Sequence, residues 1–311
     1  MGNETGPVID VRNLVVDYRT GRKVHHAVKD ITFQVQPGEC VGFIGANGAG
    51  KSTTMKALLG FVFPASGTVK VFGQPSGTVE SRRRLGYLPE VALYYPFMKA
   101  RELLELYGGL QGMTRSHLKM TIPSLLDEVG LSGRGESLLK SFSKGMQQRL
   151  GIAQAIIAKP ELLIFDELSS GLDPLGRHDL REVLLRLKRA GTTIFFSSHE
   201  LSEVEALCDR VIVINKGRIV TEAPVSDLMK PLNVFNVKFE APETLPSDIA
   251  SLGADRTDNA WQIEAHDQEK YAEIISALSR HQYRLLSTES QSQSLENYFI
   301  ELVRNQAETV A

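Results

Sequence analysis

Apolar positions in this chain change period several times along its length, and each change marks a different kind of element. Up to about residue 75 they alternate or run in short blocks between Gly and Pro. IDVRNLVVDY (Ile9–Tyr18), AVKDITFQV (Ala27–Val35) and GTVKVFG (Gly67–Gly73) are therefore predicted strands. Between Pro96 and Ser141 the period becomes helical. Leu103, Leu106, Tyr107 and Leu110 fall at i, i+3, i+4 and i+7 and predict one apolar face, and a second segment, Ile122 to Val129, closes at Gly130, a candidate C-cap. From Gly145 to Phe196 helix and strand alternate. Leu162–Phe165 is a short continuous apolar run, as expected of a strand buried on both faces. Leu180, Val183, Leu184 and Leu187 predict an amphipathic helix, and Thr192–Phe196 and Arg210–Asn215 predict further strands. The expected fold is α/β: a mostly parallel sheet with helices on both faces, an antiparallel β subdomain and a helical insert.

After about Pro231 the pattern describes a different unit. It reads strand (Val234–Glu240), helix (Ser247–Leu252), two weak strands, helix (Glu269–Ser279) and strand (Tyr283–Ser287), a βαββαβ order. A last helix would carry Leu295, Tyr298, Phe299 and Leu302. The expected division is residues 1–231, with a helical subdomain at about 90–160, and a small α+β module at 232–311.

Chemistry enters at GANGAGKS, Gly45–Ser52, which fits G-x-x-x-x-G-K-[ST]. The apolar run Cys40–Ile44 leads into it and a helical pattern leads out, and this strand–loop–helix context marks a phosphate site. Gly45, Gly48 and Gly50 are expected to let the backbone turn so that successive N–H groups share one concavity at a helix N-terminus. The expected phosphate-binding residues are Gly45, Ala46, Asn47, Gly48, Ala49, Gly50, Lys51, Ser52 and Thr53. Lys51 would reach the β- and γ-phosphates, and the Ser52 hydroxyl would coordinate Mg²⁺. LLIFDE, Leu162–Glu167, supplies a second site at the end of a buried strand. There Asp166 is placed to hold Mg²⁺ and Glu167 to polarise a water toward the γ-phosphate.

Bulk properties narrow the picture. Hydrophobic content of 42%, charged content of 23% and a net charge of −2 describe an ordinary globular chain and predict no nucleic-acid partner. Arg82, Arg83 and Arg84 read as a solvated loop. Cys40 and Cys208, far apart in sequence and without CxxC or metal-ligand spacing, read as buried thiols in a reducing compartment. The polar start lacks an apolar signal region, MGNETG lacks the Ser or Thr at the sixth position that a myristoylation motif needs, and no stretch approaches the length of a membrane span. A cytoplasmic protein is expected.

From about Val8 to Asp227 the chain resembles the ATP-binding subunit of an ABC transporter. SFSKGMQQRL, Ser141–Leu150, resembles the signature LSGGQ, with Phe142, Ser143, Lys144, Gly145 and Met146 at its five positions. Lys144 for Gly and Met146 for Gln are departures. SSGLDP, Ser169–Pro174, resembles the D-loop, with Asp173 as its acid and Leu168 where the family has Pro. His199, after TTIFFSS, stands at the position of the switch histidine, and Tyr18 at that of the aromatic stacked on adenine. LGYLPE, Leu85–Glu90, resembles the Q-loop, with Glu90 at the position of the metal-contacting Gln.

The resemblance implies an ATPase using ATP and Mg²⁺, with Glu167, His199 and Lys51 catalytic and Ser52, Asp166 and Glu90 around the metal. It further implies a head-to-tail homodimer in which Ser143 and Gly145 cover the γ-phosphate held by the opposite ATPase subunit. Separate transmembrane permease subunits would hold the chain at the inner face of the membrane. The C-terminal module ending SLENYFIELV resembles those of bacterial exporters. The alternative is a soluble ABC ATPase acting on ribosomes, DNA repair or cofactor assembly, although the chain has one cassette, no charged linker and no sustained heptads. A module that binds ATP without hydrolysing it is disfavoured by the presence of Lys51, Asp166, Glu167 and His199.

Overall fold

The computed structural model describes residues 6–21, 23–167, 172–198, 200–229, 231–257, 260–292, 295–296 and 298. His199, Leu168–Gly171 of the D-loop region, and Phe299 and Leu302 of the expected last helix lie outside the described residues. The chain forms two compact units, Met1–Val225 and Ser226–Ala311.

In the first unit the hairpin β1 (Ile9–Thr20) and β2 (Lys23–Val35) precedes β3 (Cys40–Ile44), α1 (Lys51–Leu58), β4 (Ser66–Val71), β5 (Gln74–Pro75), α2 (Val79–Arg83) and β6 (Leu85–Leu88). Three helices follow: α3 (Ala100–Leu110), α4 (Arg115–Glu128) and α5 (Lys144–Ile156). The chain then alternates through β7 (Leu162–Phe165), α6 (Pro174–Arg189), β8 (Thr193–Ser197), α7 (Leu201–Leu207), β9 (Arg210–Asn215) and β10 (Arg218–Pro224). One sheet is antiparallel, in the order β2-β1-β4-β5. The other has six strands in the order β10-β9-β3-β8-β7-β6, parallel from β9 to β6 with β10 antiparallel at its edge.

Every residue of β3, β7 and β8 is buried, which is why these strands read as continuous apolar runs. Phe33 of β2, Phe43 of β3 and Phe195 of β8 pack ring on ring at centroid separations of 5.8, 5.7 and 5.4 Å, joining the two sheets. At the start of β9 Arg210 donates to both carboxylate oxygens of Glu39, at 2.6 and 3.0 Å, and to the Gln34 carbonyl of β2 at 2.6 Å. Gly86 lets α5 lie against β6, since a Cβ there would sit 2.1 Å from the Ala155 carbonyl oxygen.

Two helical expectations need correction. α4 starts well before Ile122 because Thr114 caps it, its hydroxyl accepting the His117 N–H at 3.3 Å, and Pro123 is held inside the helix. In α3 the buried residues are Ala100, Leu103, Leu104 and Gly108, whereas Leu106 is 44% and Leu110 74% exposed. The reason is Gly108: a Cβ there would lie 2.3 Å from Leu118 of α4, so α3 approaches its neighbour along Gly108, and of the leucine stripe only Leu103 is buried.

After α8 (Val225–Leu228), which spans the division, the second unit runs β11 (Pro231–Glu240), α9 (Ser247–Ala250), β12 (Asp255–Thr257), β13 (Ala260–Ala265), α10 (Gln268–Arg280) and β14 (Arg284–Ser292). Its antiparallel sheet runs β12-β13-β11-β14. Val237, Phe239 and Ile263 of the sheet pack with Ile249, Ile274 and Leu278 of the helices. Asp267 caps α10 by accepting the Lys270 N–H at 2.6 Å.

Candidate functional site

The loop between β3 and α1 is shaped by crowding as well as by turning. Gly48 and Gly50 have φ of 77° and 113°, and Gly50 is the residue that caps α1. Gly45 has no such backbone demand; its Cβ would lie 2.3 Å from the Ile214 carbonyl oxygen, so it is there for space. Lys51, buried in the first turn of α1, folds back across the loop. Its Nζ donates to the Gly45 carbonyl at 2.8 Å and the Ala46 carbonyl at 3.5 Å, and lies 3.7 Å from Glu167 Oε1.

Asp166 and Glu167 follow directly on β7, and neighbouring strands fix both. Asp166 is 5% exposed and accepts from the Ser197 hydroxyl at 2.9 Å and the Ser52 hydroxyl at 3.3 Å. Ser197, the last residue of β8, also accepts the Glu167 N–H at 2.9 Å. Glu167 stands in the left-handed region at φ 56°, a strain on the order of 1–2 kcal/mol that its surroundings hold. Sequence reasoning missed Ser197; its only signal was a small hydroxyl residue ending a strand near the acids. Burial, and secondarily the Asp166 charge, push the Tyr87 hydroxyl up to about 12.

Tyr18, Asn47, Gly48, Gly50, Lys51, Ser52, Thr53, Glu90 and Glu167 line one cleft of about 470 Å³, together with His25 and Ala27. The Tyr18 hydroxyl and Thr53 Oγ1 are 3.4 Å apart, which ties β1 to α1. His25 was not anticipated; it pairs directly opposite Tyr18 in the β1–β2 ladder and so shares its face. Ser143, Gly145 and Asp173 do not line this cleft. Ser143 caps α5, its Oγ accepting the Met146 N–H at 3.3 Å, and Gly145 follows in the first turn. Asp173 caps α6, accepting the Gly176 N–H at 3.0 Å. His199 lies outside the described residues, but its neighbour Glu200 is paired with Arg177 of α6 at 2.8 Å.

Just past Glu90 the surface changes character. A groove of about 570 Å³ is lined by Phe61, Tyr87, Leu93, Tyr94, Tyr107 and Leu110, among others. Leu93 is 90% exposed, and the exposed rings of Tyr95 and Phe97 lie 5.6 Å apart in the same segment. A wider hollow of about 1000 Å³, bordered by Asp10, Lys70, Arg84 and Glu161, shares no residue with the nucleotide cleft. Arg84 and Glu161 are paired there at 2.6 Å.

A phosphate loop at the carboxyl end of a central parallel strand, with two acids at the end of a nearby strand, defines a P-loop ATPase. The family model described as ABC transporter matches residues 28–170. An ABC transporter ATP-binding protein of Nostoc sp. is 39% identical over 309 residues, spanning 97% of this chain and 91% of that protein. The Nod factor export ATP-binding protein I of Cupriavidus metallidurans is 37% identical over 85% of this chain and 89% of its own length. A solved structure described as the ATP binding subunit of an ABC transporter superposes with a TM-score of 0.65 at 34% identity, covering 71% of this chain and 91% of that one. The chain belongs to the ABC transporter family, as an ATP-binding subunit that binds and hydrolyses ATP.

Proposed function

We propose that two copies of this chain close head-to-tail around two ATP molecules, and that hydrolysis reopens them to drive export through separate transmembrane subunits. The observation carrying this reading is the split of the site. Tyr18, Lys51, Ser52, Glu90 and Glu167 meet in one cleft, while Ser143 and Gly145 sit at a different helix N-terminus. A second copy can bring that N-terminus, with its free N–H groups, over the γ-phosphate.

Within one half, Tyr18 stacks on adenine, the N–H groups of residues 45–53 hold the phosphates and Lys51 exchanges its loop carbonyls for phosphate oxygens. The Ser52 and Asp166 oxygens, 3.3 Å apart, suit neighbouring positions around Mg²⁺. Among the described residues no cluster of three His, Cys, Asp or Glu side chains could hold a metal unaided, as suits an ion that also takes phosphate and water ligands. Held by Ser52 and Asp166, Mg²⁺ would supply neutralisation of the phosphate charge. Glu167 takes a proton from the attacking water, with His199 and, across the pair, Asp173 completing the site.

Among the described residues no helix is long and apolar enough to cross a membrane, so the pathway is assigned to partner subunits. In this reading the groove at Leu93 and Leu110 receives a segment of such a subunit, which would hold the chain at the inner membrane face. The name of the Nod factor relative supports export as the direction.

The test is Glu167→Gln. Hydrolysis should fall by about 10²-fold or more while ATP binding persists. ATP should then trap the variant as a dimer in sedimentation. Unchanged turnover would remove Glu167 from its role, and a monomer at saturating ATP would overturn the sandwich.

A further inference from the structure

We propose that in the closed pair Lys144 of one copy forms an ion pair with Glu90 of the other, at the edge of the bound triphosphate. The inference rests on the head-to-tail reading above. Each of these charges is misplaced when one chain is considered alone. Glu90 is an exposed carboxylate on the wall of the cleft that takes a triphosphate, where another negative charge opposes the ligand. Lys144 is an exposed cation in the first turn of α5, at the positive end of the helix dipole, where acids rather than lysines are favoured. Neither finds an ion-pair partner in its own chain among the described residues.

Both positions depart from the neutral residues that the resemblance leads one to expect, and they depart with opposite signs. Docking α5 of a second copy over the cleft brings the lysine beside Ser143 to the wall that carries Glu90. Two local conflicts then cancel, and they cancel only in the closed, ATP-bound pair. The pair would thus tie closure to correct register, since an isolated copy leaves both charges unanswered.

A double-mutant cycle tests this in full-length Glu167→Gln protein with ATP and Mg²⁺, reading the dimer dissociation constant by sedimentation equilibrium. Both side chains are exposed, and melting curves check that each variant folds. Lys144→Gly and Glu90→Gln should each weaken pairing about tenfold, and the double variant should also lose about tenfold rather than a hundredfold. Losses that multiply, or single variants that pair as well as the parent, would overturn the ion pair while leaving the sandwich intact. Failure of the parent itself to pair with ATP would overturn both.

Discussion

The nucleotide cleft and the groove beside it are built on opposite plans although Glu90 and Leu93 are only three residues apart. In the cleft almost every functional group is already held by another: Lys51 by loop carbonyls, Asp166 by Ser197 and Ser52, the Glu167 backbone by Ser197. In the groove, Leu93 and Leu110 stand 90% and 74% exposed with nothing over them. A polar ligand that arrives from water needs a site organised before it comes, since charged groups without partners would distort the loop. An apolar partner needs only uncovered area of the right shape, because dewetting supplies the attraction.

The sharpest way to break this contrast is Lys51→Ala, which removes the phosphate contact and the loop's internal clasp together. ATPase activity should fall about 10²–10³-fold, measured by phosphate release. Ser197→Ala comes next. It strips two buried partners at once, and urea titration should show a stability loss of about 1–3 kcal/mol with a parallel fall in turnover. On the other side of the comparison, Leu93→Asp combined with Leu110→Asp should leave hydrolysis by the isolated chain intact. Co-sedimentation with membranes carrying the partner subunit should drop about tenfold.

The smallest effect concerns the scaffold of the groove. Hydrogen bonds from Arg101 and Lys99 at the start of α3 hold the Glu136 carboxyl down at about 2, against an ordinary 4.5. A lowered carboxyl stabilises the fold above its unfolded value and loses that contribution as pH falls through the folded one. Acid unfolding between about pH 4.5 and 2 should therefore be slightly steeper in the parent than in Glu136→Gln, followed by circular dichroism.

What could be read in the sequence was whatever is local. The phosphate loop, the acids after β7 and the order of elements in the second unit each lie in one short segment with its own period. Ser197 and His25 became visible only through strand order: β8 had to lie between β3 and β7, and β2 had to pair back on β1. The same holds for the cysteines. Both are buried as expected, but only the pairing of β3 with β9, just beyond Cys208, makes them neighbours, and burial, with Cys40 beside it, pushes the Cys208 thiol up. The leucine stripe of α3 misled for the converse reason. Its periodicity was real, but only its first leucine, Leu103, is buried, and the close approach of Gly108 to α4 decided which side the chain itself would bury.

Phe33, Phe43 and Phe195 have one mechanical consequence. With those rings interlocked, the hairpin bearing Tyr18 and the strand feeding the phosphate loop can travel only as a single plate. The irregular stretch of residues 89–98 is one of the two connections between that plate and the helices, and it carries Glu90 near one end.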